Sequence, residues 1–294
     1  MKIGIVGLPN VGKSTLFNAL TKSKIAQAAN YPFCTIESNV GIVEVPDERL
    51  QKLSGISKSQ KIIPAIVEFV DIAGLVKGAS LGEGLGNKFL SHIKEVDAIV
   101  HVVRSFTDTD VIHVSGVVNP NEDAETINIE LALCDLEAVK RAHERTLAAA
   151  KPMNVKDASK PGAPLWRAEV LGRVLAALKE GQPARGVPLM GDESVIFKEL
   201  NLLTMKPLMY VLNTNEYTQA SISIAPKEFM GAPCISICAR LEAELADLPP
   251  DEAAEYLKGL GVTESGLDKL IRAAYGLLGL ITFFTSGEKE TRAW

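Results

Sequence analysis

Apolar residues in the first half of the chain fall in short, dense runs. KIGIVG (2–7), NVGIVEVP (39–46), AIVEFVDIAG (65–74) and DAIVHVVRSF (97–106) are runs of this kind, and KPLMYVLN (206–213) and APCISICA (232–239) extend the series. Runs this short and this apolar predict strands buried on both faces. Between them the spacing changes. STLFNALT (14–21) sets Leu16, Phe17 and Leu20 at helical intervals, and GNKFLSHIKEV (86–96) reads as a second helix. Strand and helix in alternation predict an α/β class with a mainly parallel sheet covered by helices.

The rhythm breaks between about 122 and 200. Glu122 to Ala150 holds no Gly or Pro and is rich in helix formers, which predicts one helix of ~43 Å. Lys151 to Pro164 carries Pro152, Pro161, Gly162 and Pro164, a reversal loop. LWRAEVLGRVLAALKEG (165–181) returns as a second helix, with Ala168, Leu171, Leu175 and Leu178 in three- and four-residue steps. Ile129, Leu133 and Leu136 match them on the outgoing arm, before Lys140 and His143 weaken the seam. This predicts a helical hairpin, a short antiparallel coiled coil inserted in the α/β domain. The alternative is two ordinary helices packed on the sheet. Leu241 to Gly276 reads as helical, and 281–294 as a stub. The expected organisation is a discontinuous α/β domain over 1–128 and 201–280, a helical insertion over 129–200, and the stub.

Composition narrows the classes. The 294 residues are 47% hydrophobic with a net charge of −5, enough for a sizeable core and against a chain-wide nucleic-acid binder. No apolar run is long enough to span a membrane and no basic signal-peptide start is seen, so the expectation is a cytoplasmic monomer without membrane contact. Cys34, Cys134, Cys234 and Cys238 have no histidine at zinc-ligand spacing, so reduced thiols are expected.

The chemistry starts at GLPNVGKST (7–15), which fits G-x-x-x-x-G-K-[ST]. Gly7 and Gly12 allow backbone angles that a Cβ would forbid, so successive N–H groups can cradle a phosphate. Asn10, Val11, Gly12, Lys13, Ser14 and Thr15 form the expected phosphate-binding turn. Lys13 adds a charge for the terminal phosphates, and the Ser14 hydroxyl is a Mg²⁺ ligand. A strand precedes the turn and a helix follows it, where an anion belongs. DIAGL (71–75) leaves a strand as D-x-x-G, placing Asp71 to hold a water on Mg²⁺ and Gly74 to read a γ-phosphate. NYPFCTIE (30–37) lies where a first switch loop belongs, with Thr35 as a second Mg²⁺ ligand or, alternatively, a plain surface threonine.

NYPFCTIE, DIAGLVKGASLGEGLGNKFL and NTNE after a strand together resemble the YchF branch of the Obg-like P-loop NTPases, over essentially the whole chain. The resemblance implies a G-domain fold, a coiled-coil insertion, and a terminal TGS domain of ubiquitin-like shape. The family continues past a segment like TRAW into that domain, whereas this sequence ends at Trp294.

GTPases carry N-K-x-D after the fifth strand; here it is Asn213-Thr214-Asn215-Glu216. Asn213 can pair bidentately with an adenine N6/N7 edge, and Glu216 is less suited to guanine. The resemblance points the same way: its N-x-x-E branch prefers ATP or tolerates both ATP and GTP. Leu75 stands where Ras-type enzymes place a water-orienting glutamine. The resemblance suggests His113 of DVIHVSG for that task, against a histidine packed on the sheet edge. In related NTPases an asparagine at the position of Asn10 helps hold K⁺. The leading expectation is therefore a slow Mg²⁺-dependent ATPase switch acting with the ribosome, the ribosomal part resting on the resemblance alone. A nucleotide-binding regulatory module with negligible hydrolysis is the alternative. A small-molecule kinase is disfavoured by the two switch loops.

Overall fold

The structure is a computed structural model that describes residues 1–24, 39–72, 74, 85–215, 226–262 and 264–294, with the side chains of 23–24 and 85–88 outside that description. Two compact units emerge. The first comprises 1–74, 96–123 and 207–294. Its seven-stranded sheet contains β1 (Lys2–Val6), β2 (Val40–Glu44), β4 (Ile66–Asp71), β5 (Ala98–Ser105), β6 (Leu208–Thr214), β7 (Glu228–Phe229) and β8 (Ala232–Ile237), in the order β2-β4-β1-β5-β6-β8-β7. The five inner strands run parallel; β2 on β4 and β7 on β8 are antiparallel. β5 and β6 are buried along almost their whole length, as their dense apolar runs require.

Helix α1 (Lys13–Lys24) follows β1 directly after the glycine-rich turn. α2 (Glu48–Ser57) is N-capped by Asp47, whose carboxylate accepts from the Arg49 N–H, and it ends on Lys58 in a left-handed conformation. The predicted helical tail of the unit is three helices: α8 (Ala239–Leu245), α9 (Pro250–Gly259) and α10 (Gly266–Leu277). Pro250 and Gly261 divide what composition alone reads as one stretch.

Residues 281–294, expected as a stub, form structure of their own. β9 (Phe284–Ser286) and β10 (Thr291–Ala293) make a hairpin, and β10 pairs in parallel with β3 (Ile62–Ile63). Thr291 is fully buried, and its hydroxyl lies 2.7 Å from both Ser59 Oγ and Ser286 Oγ. The pairing joins positions far apart in the chain, which a window-by-window reading does not see.

The second unit comprises 75–95 and 124–206, wider than the insertion read from the sequence. It holds α3 (Leu85–Glu95), most of α4 (Pro120–Ala150), α5 (Val155–Ala158), α6 (Pro164–Lys179) and α7 (Glu193–Leu200). The seam of α6 includes Ala168, Leu171 and Leu178, but Val170 and Val174 are also buried, so its apolar face is wider than a two-position stripe. On α4 the seam is displaced from the expected one. Ile129 and Leu133 are exposed, at 44% and 38%, while Ala132, Asp135, Val139 and Ala142 face inward. Asp135 hides the true seam because it is polar. Its carboxylate accepts from Leu203 N at 2.9 Å, Thr204 N at 2.7 Å and Thr204 Oγ1 at 2.6 Å. Ile196 and Phe197 of α7 complete this core, so the arms pack in a helical cluster, not as a lone pair.

Candidate nucleotide site

The turn between β1 and α1 is held by two close approaches. A Cβ on Gly7 would lie 2.4 Å from the Val102 carbonyl oxygen, so the chain crosses β5 only because position 7 has none. At Gly12, with φ +93°, a Cβ would lie 2.2 Å from Asn213 Nδ2. The turn is therefore braced from the neighbouring strands before any ligand is considered.

Four expected residues converge here. Lys13 is buried, and its Nζ donates to the Leu8 carbonyl at 2.6 Å. Burial pulls its pKa down from 10.5 to about 8, against the opposing pull of the Asp71 carboxylate. Ser14 Oγ donates to Asp71 Oδ2 at 2.9 Å. Asp71 Oδ1 is buried and has no hydrogen-bond partner. Gly74 completes the group: a Cβ there would lie 3.0 Å from Lys13 Nζ and 3.2 Å from Pro9 N. One hydroxyl, one carboxylate with an unsatisfied oxygen, and one cation thus line the start of α1. That donor set suits a hard divalent cation that keeps water and phosphate in its shell. Among the described residues no three His, Cys, Asp or Glu side chains gather as a self-sufficient metal site.

A second segment, 106–119, is tied to the crown of the turn. Asn10, in a left-handed conformation at φ 60°, donates from Nδ2 to the Ile112 carbonyl at 3.1 Å. Arg104, 1% exposed at the end of β5, donates to the carbonyls of Asn10, Phe106, Asp108 and Val111. His113 follows immediately. Its ring is buried, with Nε2 2.7 Å from Asp123 Oδ2 and Nδ1 accepting from the Ser115 N–H at 3.2 Å. With Nδ1 accepting, Nε2 carries the proton and donates to Asp123.

On the base side, Asn213 is bonded to two neighbouring segments. Its Nδ2 donates to the Val11 carbonyl at 2.9 Å, and its Oδ1 accepts from the Ala239 N–H at 3.0 Å. At 5% exposure, this amide ties the phosphate turn to the start of α8. Thr214 is half-buried beside it. Asn215 exchanges two bonds with Thr107, donating to its carbonyl at 3.2 Å and accepting from its N–H at 3.1 Å. Val11 is buried and Thr15 exposed in the turn itself. Thr35, Leu75 and Glu216 lie outside the described residues.

Residues 2–138 match the family model described as 50S ribosome-binding GTPase. The ribosome-binding ATPase YchF of Bacillus subtilis (strain 168) is 52% identical over 299 residues, spanning 99% of this chain and 80% of the relative. The chain belongs to the YchF family. The YchF protein of Escherichia coli O157:H7 is 50% identical over 300 residues, spanning 100% of this chain and 80% of its own. The solved structure of the Schizosaccharomyces pombe YchF GTPase superposes with a TM-score of 0.84 at 37% identity, covering 100% of this chain and 80% of that one. The match extends through the helical unit as well as the sheet. Among the described residues no helix is long and apolar enough to cross a membrane.

Two residues tied to this region by the hydrogen bonds above were not read from the sequence. Arg104 was visible as a cation in a largely apolar strand, but its four carbonyl partners were not. Asp123 sits in the first turn of α4, where an acidic residue reads as ordinary helix-dipole chemistry.

Proposed function

We propose that the chain binds Mg²⁺-ATP and hydrolyses it slowly, as a switch that acts with the ribosome. The observation that carries this reading is the Ser14–Asp71 pair beside buried Lys13, with Asp71 Oδ1 unsatisfied. Ser14 and Asp71 are the residues to hold Mg²⁺, with Thr35 as a further ligand; bound there, the ion draws off charge from the β- and γ-phosphates. Lys13 exchanges the Leu8 carbonyl for phosphate oxygens. The amides of 10–15 cradle the phosphates, and Gly74 offers its N–H to the γ-phosphate.

In hydrolysis a water adds to the γ-phosphorus, the bond to the β,γ-bridging oxygen breaks, and ADP and phosphate leave. We assign the orientation of that water to His113, because its segment is bound to the crown of the turn through Asn10 and Arg104. Its ring is engaged by Asp123 and Ser115, so it must swing free first, and slow basal turnover is the expected consequence. Asn10 has its Nδ2 committed to Ile112, leaving its carboxamide oxygen for K⁺. Asn213 acts as a brace, so base choice falls to Thr214 and Glu216. Relatives carry both names, ATPase and GTPase, and the N-T-N-E sequence favours ATP. The ribosomal partner is carried by the relatives' names and by a locally basic stretch. Lys140, Arg141, Arg145, Lys151, Lys156 and Lys160 face only Glu144 and Asp157 over 140–160, in a chain of net charge −5.

The test is titration with ATP and GTP in Mg²⁺, then turnover of wild type and His113→Ala, and co-sedimentation with ribosomes. ATP is expected to bind more tightly than GTP. His113→Ala should lose about 10²-fold in turnover at nearly unchanged ATP affinity. GTP binding about tenfold tighter than ATP, equivalent to ~1.4 kcal/mol, would refute the base assignment.

A further inference from the structure

Arg104 is a buried cation whose partners are all neutral. It is 1% exposed, and among the described residues no carboxylate forms an ion pair with it. Its guanidinium instead spans four carbonyls: Phe106 from Nε at 3.3 Å, Asn10 from Nη1 at 3.4 Å, and Asp108 and Val111 from Nη2 at 3.3 and 2.9 Å. The Phe106 ring lies against it, 4.3 Å from Cζ to the ring centroid. Burying an unpaired charge is costly unless its donors are satisfied. A neutral side chain that merely filled the space would avoid that cost. What a guanidinium offers is a rigid planar fork with five donors, able to fix several backbone oxygens relative to one another.

The four oxygens belong to two different parts of the site. Asn10 is the crown of the phosphate turn, and Phe106, Asp108 and Val111 lie on the segment that leads into His113. The Asn10 side chain closes the same gap from the other side, at Ile112. Crown and segment are thus clasped at residues 111 and 112, one residue before the imidazole. We propose that Arg104 is a positioning residue for hydrolysis, setting the 106–113 segment in register with the phosphate turn. Nucleotide bound in the turn then moves or steadies His113 through this clasp. The inference rests on the assignment of His113 given above, and it names the part that couples this residue to the phosphates.

The experiment uses the full chain. Arg104→Lys keeps the charge and loses the fork; Arg104→Gln loses both. Each is measured for ATP affinity and single-turnover hydrolysis, alone and combined with His113→Ala. Arg104→Lys should retain ATP affinity within about threefold and lose hydrolysis by on the order of 10²-fold, the scale of a misplaced reacting group. Combined with His113→Ala it should add less than about twofold, because both act through one group. Unchanged hydrolysis in Arg104→Lys, or losses that multiply fully in the double variant, would overturn the proposal. Hydrogen exchange at the amides of 106–115, with and without ATP, is read in wild type and in Arg104→Lys. ATP-dependent protection in wild type that is lost in Arg104→Lys supports the clasp, and protection equal in the two proteins or absent from both refutes it. If His113→Ala alone leaves hydrolysis unchanged, the role of His113 fails, and the exchange result still decides whether Arg104 links segment and turn.

Discussion

At the level of single residues, the phosphate turn was legible because its spacing dictates its geometry. Lys13 and Ser14 must follow Gly12 at the start of a helix, and Asp71 must leave the adjacent strand, since β4 lies beside β1 in register Ile5↔Asp71. Asn213 was legible as important but not as to its role. Its bonds to Val11 and Ala239 join positions far apart in sequence, and the type of a residue does not reveal which of its atoms are already spent. Lys13 gives a prediction at this scale. Burial lowers its pKa to about 8 while the Asp71 carboxylate pulls the other way. Between about pH 8 and 10.5 the unfolded chain holds a proton that the folded chain has released, so ligand-free stability should rise with pH through that window. Phosphate oxygens restore the charge. ATP binding near pH 9 should therefore take up a proton, read by calorimetry in buffers of different ionisation enthalpy, and affinity should fall as pH rises above about 8. Binding without proton uptake at that pH would place Lys13 away from the phosphates.

Among the elements, strands were read more securely than helix faces. β1, β5 and β6 are buried on both faces along almost their whole length, so no choice of face was needed. Of the expected seam on α4, Leu136 packs against the helical core while Ile129 and Leu133 are exposed, because Asp135 occupies a core position and a polar residue in an apolar stripe moves the apparent phase of the helix. That carboxylate caps the backbone N–H groups of Leu203 and Thr204 and also takes the Thr204 hydroxyl. Burial raises its pKa while those bonds pull it down. Asp135→Ala should destabilise the chain by about 2–4 kcal/mol, since buried donors are left without partners. Asp135→Asn keeps an acceptor and should cost less. Urea unfolding measures both, and equal stability of Asp135→Ala and wild type would mean that these bonds are not made in solution.

For the whole molecule, alternation of strand and helix indicated the α/β class, and the loss of alternation marked the helical insertion. The pairing of β3 with β10 joins residues 62 and 291, and the inclusion of 124–128 and 201–206 with the helical unit depends on packing. Neither is a local property of sequence. Phosphate turn, Asp71, the His113 segment and the Asn213 brace all belong to the first unit, so one unit carries every described group assigned to nucleotide chemistry. The claim that this unit hydrolyses ATP through Ser14 and Asp71 is tested most directly by phosphate release from ATP in Mg²⁺, comparing wild type with Ser14→Ala. Ser14 is exposed at the start of α1, so the variant should fold as wild type does. Slow release by wild type, reduced by about 10²-fold or more in Ser14→Ala, is the predicted result; equal release from the two proteins would contradict it.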